Sequence, residues 1–265
     1  MAPSIALVLA YRGTAFSGFA RQKSARTVQH ELENALETIA GCPVETICAG
    51  RTDAGVHAVG QVVSCHLPSG VLQDCCGTIR SLNALTPSDM AVRMLQHVPD
   101  TFNARFDALA REYRYRIAQG DTPPLFMEPY CWYLPSRLDI EAMREAARFL
   151  IGEHDFASFC VARSAQELHT RNLSTYRTIT DITLDLETVF GESMLTITVC
   201  GNAFLHSMVR TMVGTLVEVG RNKHDPRWVG EVLAACDRTQ AGQRAPAQGL
   251  VFQAVRYPSG VFDSA

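Results

Sequence analysis

Hydrophobic and polar residues along the chain follow two periods, one typical of strands and the other typical of helices. Apolar residues at alternate positions, or short apolar runs between turn residues, predict strands over residues 5–11, 44–49, 61–67, 90–97, 112–118, 179–186, 194–200 and 250–256. Apolar residues three and four positions apart predict helices over residues 28–40, 74–85, 140–151 and 203–219, and a last helix capped by Asp225. The order of strands and helices favours an α+β fold over a doubly wound one.

The helix over residues 28–40 carries the clearest signals. Val28, Leu32 and Leu36 share one face at helical spacing. Thr27 stands where a capping side chain is expected, and Gly41 stands where helices commonly end in a left-handed turn. We therefore expect this helix to begin and end at these positions.

Both halves of the chain contain this mixture of strands and amphipathic helices. We therefore expect two α+β domains that join near residues 102–110, the first over residues 1–105 and the second over residues 106–265. A chain of 265 residues is long enough to bury a sizeable core.

The composition is ordinary for a globular protein, with 47% hydrophobic and 19% charged residues. Apolar runs fall short of the roughly 18–20 residues of a membrane span, and the first residues lack a basic leader, so we expect a cytoplasmic protein. The nine cysteines include no Cys-x-x-Cys pair, which favours reduced structural thiols over zinc ligands or disulfides.

The net charge of −3 does not favour a nucleic-acid ligand, because proteins that bind nucleic acids are often basic. Neither half is basic: residues 1–105 carry 8 basic and 8 acidic side chains, and residues 106–265 carry 16 and 19. Any surface for nucleic acid must therefore be a local patch.

The most unusual stretch lies between two predicted strands, at residues 49–58. It places Arg51, Asp53 and His57 among small residues, with Gly50 and Gly55 permitting a close backbone approach to a ligand. An aspartate beside an arginine stays ionised, which suits a nucleophile or a base. Composition alone also allows an aspartate that merely forms a turn and an arginine that is a surface charge.

This stretch resembles the signature loop of the tRNA pseudouridine synthase A family, in which the aspartate is catalytic. The match is carried by Gly50-Arg51-Thr52-Asp53-Ala54-Gly55-Val56-His57. Further motifs similar to those of the family follow in order at residues 102–106, 111–116, 150–156, 202–210, 249–250 and 257–258. Several ordered motifs over nearly the whole chain are more specific than any one of them.

The resemblance implies a fold of two ferredoxin-like (RNA-recognition-like) subdomains, related by pseudo-twofold symmetry, with a merged mixed β-sheet flanked by helices. It implies an isomerase that converts uridine to pseudouridine at tRNA positions 38, 39 and 40, in the anticodon stem-loop, after flipping the base out of its stack. It also implies a homodimer that binds tRNA, and no metal or organic cofactor.

Four residues receive roles from the resemblance. Asp53 is the catalytic carboxylate, Tyr113 packs against the target base, Arg210 pairs with Asp53, and Leu250 forms an apolar wall of the base pocket. Structural alternatives remain for three of them. Tyr113 is otherwise a sheet-core aromatic beside Tyr115, Arg210 a helix residue reaching solvent by its stem, and Leu250 a core leucine.

The basic residues nearby are candidates for RNA contacts. Arg51 would hold Asp53, contact a phosphate, or both, while His57 would contact a phosphate or be a satisfied structural histidine. Contacts to the RNA backbone are expected from the cations before the first helix, which are otherwise scattered surface charges: Arg12, Arg21, Lys23 and Arg26.

The chain departs from the family in this same segment. The family's Tyr-Asp-Gly and Gly-Trp-Gln are replaced by Tyr-Arg-Gly, with Arg12, and by Gly-Phe-Ala, with Phe19 and Ala20. RNA contacts there are expected to differ from those of typical members. Two other functions stay open: a non-catalytic tRNA-binding module of the same fold, and a base-releasing glycosidase, which canonically needs a second carboxylate.

Overall fold

The computed structural model describes residues 4–68, 74–170 and 173–260. They form two compact units, and the α+β prediction is confirmed because both contain helices and a mixed sheet. Of these residues, 4–68, 74–111 and 251–260 belong to the first unit, and 112–170 and 173–250 form the second. The sequence-based division after residue 105 assigned the last strand to the second domain, whereas its contacts lie with the first unit.

Five strands and two helices belong to the first unit: β1 (Ser4–Tyr11), α1 (Val28–Ala40), β2 (Ile47–Cys48), β3 (His57–His66), α2 (Cys75–Leu85), β4 (Met90–His97) and the last strand of the chain, β10 (Leu250–Arg256). The strand order is β4-β1-β3-β10, and β2 pairs with β3. β1 is antiparallel to β3 and β4, and β10 is parallel to β3.

β1 is buried on both faces. Ile5, Leu7 and Leu9 form the predicted apolar face, but Ala6 and Val8 on the other face are buried as well. A central strand that is packed on both faces of its sheet is apolar throughout. The alternating pattern predicted burial of only one face of β1, so it underestimated how much of the strand is buried.

The second unit contains the remaining strands and four helices: β5 (Ala110–Gln119), β6 (Trp132–Leu134), α3 (Ile140–Ala147), β7 (Gly152–Asp155), α4 (Ala162–Thr170), β8 (Tyr176–Val189), β9 (Glu192–Gly201), α5 (Met208–Gly220) and α6 (Trp228–Ala235). Its strand order is β5-β9-β8-β7, with β6 parallel to β5. β5 begins two residues before this unit does. Nearly every residue of α5 is buried, which makes this helix the core of the unit.

Several predicted boundaries were wrong for identifiable reasons. β3 begins at His57 rather than at residue 61, because His57 pairs with Val251 and Ala58 with Tyr11. α5 begins at Met208 rather than at residue 203, because Ser207 adopts a left-handed conformation with a φ of 59°. The short strands β6 and β7 and the polar helix α4 were not predicted.

Helices long and apolar enough to cross a membrane are absent from the described part of the chain. Across the same residues, no cluster of three or more His, Cys, Asp or Glu side chains is arranged to hold a metal ion. Burial raises the pKa of the Cys65 thiol to about 12 and that of Cys48 to about 11, which keeps both thiols protonated and unreactive at neutral pH.

Candidate functional site

The Asp53 loop (residues 49–56) connects β2 to β3 and is fixed by the segment between β1 and α1, which we call the basic loop (residues 12–27). The backbone N–H of Phe19 donates to the carbonyl of Thr52 at 3.0 Å, and the N–H of Gly55 donates to the carbonyl of Phe16 at 3.3 Å. Both partners in each of these bonds are backbone groups, so the bonds do not use the polar side chains of the basic loop.

Two glycines of the basic loop allow this close approach. A Cβ atom on Gly13 would lie 2.0 Å from the carbonyl oxygen of Val56, and one on Gly18 would lie 2.9 Å from that of Thr52. Gly18 also has a φ of +96°, which disfavours any residue with a side chain. The two loops are therefore packed backbone against backbone.

Asp53 is half-buried at the turn of its loop, where its carbonyl accepts a hydrogen bond from the N–H of Val56 at 3.2 Å. Arg51 is exposed, and in the described part of the chain its guanidinium forms neither a salt bridge nor a hydrogen bond. The two roles expected for Arg51, holding Asp53 and contacting a phosphate, both stay predictions.

His57, the first residue of β3, is buried. Its Nδ1 atom accepts a hydrogen bond from the backbone N–H of Gly13 at 3.0 Å, which ties β3 to the basic loop. A buried ring that accepts a backbone bond fits a structural histidine better than one that binds phosphate.

Arg26 of the basic loop is occupied by carboxylates. Its two terminal nitrogens donate to the two oxygens of Asp89 at 2.8 Å each, and its Nε donates to Glu31 at 3.1 Å. The guanidinium also lies 4.2 Å from the centre of the Phe16 ring. The bonds from Arg26 hold the pKa of Asp89 below its usual value of 3.8. Arg26 therefore ties the basic loop to the start of β4.

The other cations of the basic loop differ in whether a carboxylate already binds them. Arg21 donates to the buried carboxylate of Glu33 at 3.0 Å. Arg12 and Lys23 are exposed, and the described residues supply no hydrogen-bond acceptor for either side chain. An open cavity of about 750 Å³ lies here, lined by Arg21, Lys23, Arg26 and His30 among others. Arg12 and Lys23 are thus the better placed of the four for a phosphate.

The residues that depart from the family also lie in the basic loop. Phe19 is buried, with its ring 6.4 Å from that of Tyr11, whereas Ala20 is half-buried. The phenylalanine that replaces the family's tryptophan therefore acts as a core residue behind the Asp53 loop.

In the second unit, Tyr113 lies on β5 and is almost fully buried. The ring of Phe204, from the segment before α5, meets it edge-on with 5.0 Å between ring centres. Tyr115, on the same face of β5, is fully buried and donates from its hydroxyl to the carbonyl of Pro246 at 2.8 Å. Tyr113 thus has an aromatic partner of its own, while Tyr115 belongs to the core.

Arg210 lies on α5 among buried apolar residues and is itself half-buried. Its Nε donates to the carbonyl of Ala245 at 2.8 Å, and the N–H of Ala245 donates back to the carbonyl of Arg210 at 3.0 Å. This reciprocal pair fixes the guanidinium, which argues against an arginine that simply extends into solvent.

Leu250 is buried at the start of β10. The preceding residue, Gly249, packs against the ring of Tyr115, where an added Cβ atom would lie 2.5 Å from the ring. Tyr115 therefore fixes the segment from Pro246 to Leu250 through both a hydrogen bond and a close contact.

Sequence analysis missed three residues that shape these sites: Tyr11, Gln61 and Phe204. For Gln61 the sequence offers one signal, a polar residue at the start of the apolar run over residues 61–67. In the structure this side chain is fully buried and forms hydrogen bonds. Phe204 had no comparable signal, since it lies in a segment that was predicted as helix.

Comparisons with known proteins agree with the resemblance. The family model described as tRNA pseudouridine synthase matches residues 7–107 and 146–258, which include Asp53 and Arg210. A protein from Brevibacillus brevis called tRNA pseudouridine synthase A is 42% identical, over 94% of this chain and 98% of its own length.

Proteins of the same name from Vibrio parahaemolyticus and Escherichia coli are 42% and 39% identical, each over 96% of this chain and over 92% and 90% of their own lengths. A solved structure of a protein from Galdieria sulphuraria covers 84% of the chain at 12% identity. Its TM-score of 0.22 is too low to indicate a shared fold. Because the family model matches most of the chain and the relatives match nearly all of it, the chain belongs to the tRNA pseudouridine synthase family.

Proposed function

We propose that this protein isomerises uridine to pseudouridine in tRNA, with Asp53 as the catalytic carboxylate. The observation that carries the proposal is the Asp53 loop itself. A half-buried carboxylate lies in a loop whose backbone is fixed from behind by the basic loop, in a segment that matches the family model. Such a preorganised carboxylate is what a reaction at a sugar carbon requires.

The reaction moves one bond. The bond from ribose C1′ to uracil N1 breaks, the base turns, and C1′ bonds to C5, which gives up its proton while N1 gains one. A carboxylate can serve this reaction by attacking C1′ or by removing a sugar proton to give a glycal. In both routes the uridine leaves its stack first, at a cost of a few kcal/mol that contacts in the pocket offset.

The second unit would supply the contacts to the flipped base. Tyr113 would stack on it, Leu250 would form an apolar wall, and Arg210 would pair with Asp53. Contacts that fix two of these side chains support the assignment. The Phe204 ring packs against the Tyr113 ring, and the carbonyl of Ala245 accepts a hydrogen bond from the Arg210 guanidinium. Residues of the second unit would thus complete the site that the Asp53 loop begins.

Contacts to the RNA backbone would come from the exposed cations of the first unit. Arg12, Lys23 and Arg51 are the strongest candidates because they are exposed and uncommitted within the described residues. Arg21 and Arg26 would contribute more weakly, since both already pair with carboxylates. His57 would support the Asp53 loop rather than bind phosphate.

The substrate would be the anticodon stem-loop of tRNA, bound by a homodimer in the cytoplasm without a metal or organic cofactor. The two units would be ferredoxin-like subdomains related by pseudo-twofold symmetry, with their sheets merged. These finer features are those that the resemblance implies, and family membership supports them.

The deciding experiment compares the wild type with Asp53→Asn on an unmodified tRNA transcript in buffer containing a chelator. We expect the wild type to form pseudouridine and the variant to lose activity by at least about a thousandfold, since the nucleophile or base is removed. Pseudouridine is mapped by chemical labelling, and tRNA binding by filter retention. Wild-type activity in the variant would remove Asp53 from the mechanism.

The same assay tests the two competing functions. Tight binding by the wild-type protein with no pseudouridine would indicate a non-catalytic tRNA-binding module. Release of free uracil would indicate a glycosidase. Either result would overturn the proposed isomerase.

A further inference from the structure

A chain of buried polar side chains lies behind the Asp53 loop, within the first unit. Tyr11, the last residue of β1, has almost no exposed surface, and its hydroxyl lies 2.8 Å from Oγ1 of Thr52, which is also buried. Thr52 immediately precedes Asp53. The end of β1 is therefore tied directly to the residue beside the carboxylate.

Gln61 of β3 extends this chain to the other side of Arg51. Its Nε2 donates to the carbonyl of Gly50 at 2.6 Å and to the Tyr11 hydroxyl at 3.5 Å, while its Oε1 accepts from the N–H of Gly50 at 3.4 Å. Gln61 is fully buried. One amide thus binds both backbone groups of Gly50.

Together these contacts hold the Asp53 loop at two points: Gln61 of β3 binds Gly50, and Tyr11 of β1 binds Thr52. We propose that Tyr11 and Gln61 are positioning residues, which set the orientation of Asp53 by fixing the backbone on its N-terminal side. This inference rests on the proposed function, because it takes Asp53 as the catalytic group.

The Tyr11 hydroxyl is suited to positioning and not to proton transfer. Burial raises the pKa of Tyr11 well above its usual value of 10, and the bonds to Thr52 and Gln61 offset only part of that rise. The hydroxyl is therefore neutral across the pH range in which a carboxylate catalyst works. The rings of Phe16 and Phe19 lie 6.3 and 6.4 Å from the Tyr11 ring and keep it in place.

A purely structural role makes a different prediction. A buried hydrogen bond contributes to stability wherever it lies, so losing one lowers the melting temperature without a specific effect on turnover. Loss of positioning instead lowers kcat while leaving KM, because the substrate still binds but meets a misplaced carboxylate.

The test measures kcat and KM for tRNA pseudouridine formation in Tyr11→Phe, which removes the hydroxyl and keeps the ring. We expect kcat to fall about tenfold, KM to stay within about twofold, and the pH profile to keep its shape. Tyr257→Phe is the matched control, because Tyr257 is a similarly buried tyrosine of the same unit whose hydroxyl donates to the carbonyl of Ala104 at 2.6 Å. Its kcat should stay within about twofold of the wild type.

The partner of Tyr11 provides a second, independent measurement. Thr52→Val should reproduce the loss in kcat, Thr52→Ser should restore it to within about twofold, and Tyr11→Phe combined with Thr52→Val should lose no more than either single variant. Thr52→Val also carries the test if Tyr11→Phe does not fold. Wild-type kcat in Thr52→Val, or additive losses in the double variant, would overturn the inference.

Asp53→Asn assayed alongside separates the two proposals. An inactive Asp53→Asn together with fully active Tyr11→Phe and Thr52→Val would refute the positioning role alone. An active Asp53→Asn would refute the proposed function, whatever the other variants do.

Discussion

The two regions that carry the candidate site residues are built in different ways. The Asp53 loop is held by hydrogen bonds from backbone groups and from buried side chains, and by glycines that allow two loops to pack closely. Tyr113 and Arg210 instead project from a strand and a buried helix of the second unit. The geometry of the first region depends on the close approach of two backbone segments at glycines. The geometry of the second depends on how side chains pack around the strand and the helix.

This difference indicates which substitutions each region tolerates. Where the basic loop packs against the Asp53 loop, adding a side chain to a glycine moves the backbone, because the neighbouring atoms are backbone atoms that cannot change rotamer. In the second unit, the elements keep their place when a side chain is changed, so the effect is confined to the group removed. Substitutions in the first region are therefore expected to have the larger effects.

Among substitutions that leave Asp53 itself unchanged, Gly13→Ala should have the largest effect. The added Cβ atom would lie 2.0 Å from the carbonyl oxygen of Val56, so the Asp53 loop must shift. Because a misplacement of about 1 Å can cost about a hundredfold, we expect kcat to fall by about that factor in a tRNA pseudouridine assay.

Gly41→Ala is the control for this variant. Gly41 ends α1 with a φ of +68° and has no heavy atom within 4 Å of an added Cβ, so the substitution strains the backbone without moving a neighbour. We expect a loss of about 1 kcal/mol in stability with kcat unchanged. Equal kcat values for the two variants would contradict the account of the Asp53 loop.

Arg210→Lys should have a smaller effect, confined to catalysis. Lysine keeps the charge but loses the planar group that donates to the carbonyl of Ala245, so kcat should fall about tenfold while the melting temperature changes little. Arg144→Lys is the control, because Arg144 of α3 also donates from Nε to a carbonyl, that of Leu184 at 3.1 Å. Wild-type turnover in Arg210→Lys would rule out a specific role for its guanidinium.

Asp89→Asn should have the smallest effect, and one that depends on pH. The bonds from Arg26 lower the pKa of Asp89, so the stabilisation is complete above its usual value of 3.8 and is lost as pH falls through the lowered value. Arg26 is about one-third exposed, with 35% of its side-chain surface accessible, so we expect about 1 kcal/mol, or about 2–4 °C in Tm, at pH 7.

Thermal melts at pH 7 and near pH 2 check this expectation. The difference in Tm between the wild type and Asp89→Asn should become smaller at the lower pH, because protonation of Asp89 weakens its ion pair with Arg26. A difference of the same size at both pH values would show that the ion pair with Arg26 is not its source.

Local signals in the sequence were enough to place elements that are defined by their own residues. α1 matches its prediction because Thr27 caps it, accepting from the N–H of His30 at 3.3 Å, and because Gly41 ends it in a left-handed turn. The start of β3 was not predictable in this way, since it depends on partners far along the chain, Tyr11 and Val251. Strand boundaries set by distant partners leave no local pattern.

The candidate site follows the same rule. Asp53 was identified from the residues around it, through a resemblance that extends along the chain. The ion pair between Arg26 and Asp89 was not predicted, because the two residues lie 63 positions apart and Arg26 was instead expected to contact the RNA backbone. Phe19 likewise read as a lost RNA contact, and its burial behind the Asp53 loop became visible only from the contacts made on folding.

The return of β10 to the first unit has a consequence for how the protein is made. Val251 and Phe252 pair in parallel with His57 and Ala58, so the strand that leaves the Asp53 loop gains this neighbour only after the whole second unit has been translated. A nascent chain therefore cannot form the pairing between β10 and β3 until residues 251 and 252 have emerged from the ribosome. Stalled or truncated products that end before residue 251 would lack this pairing.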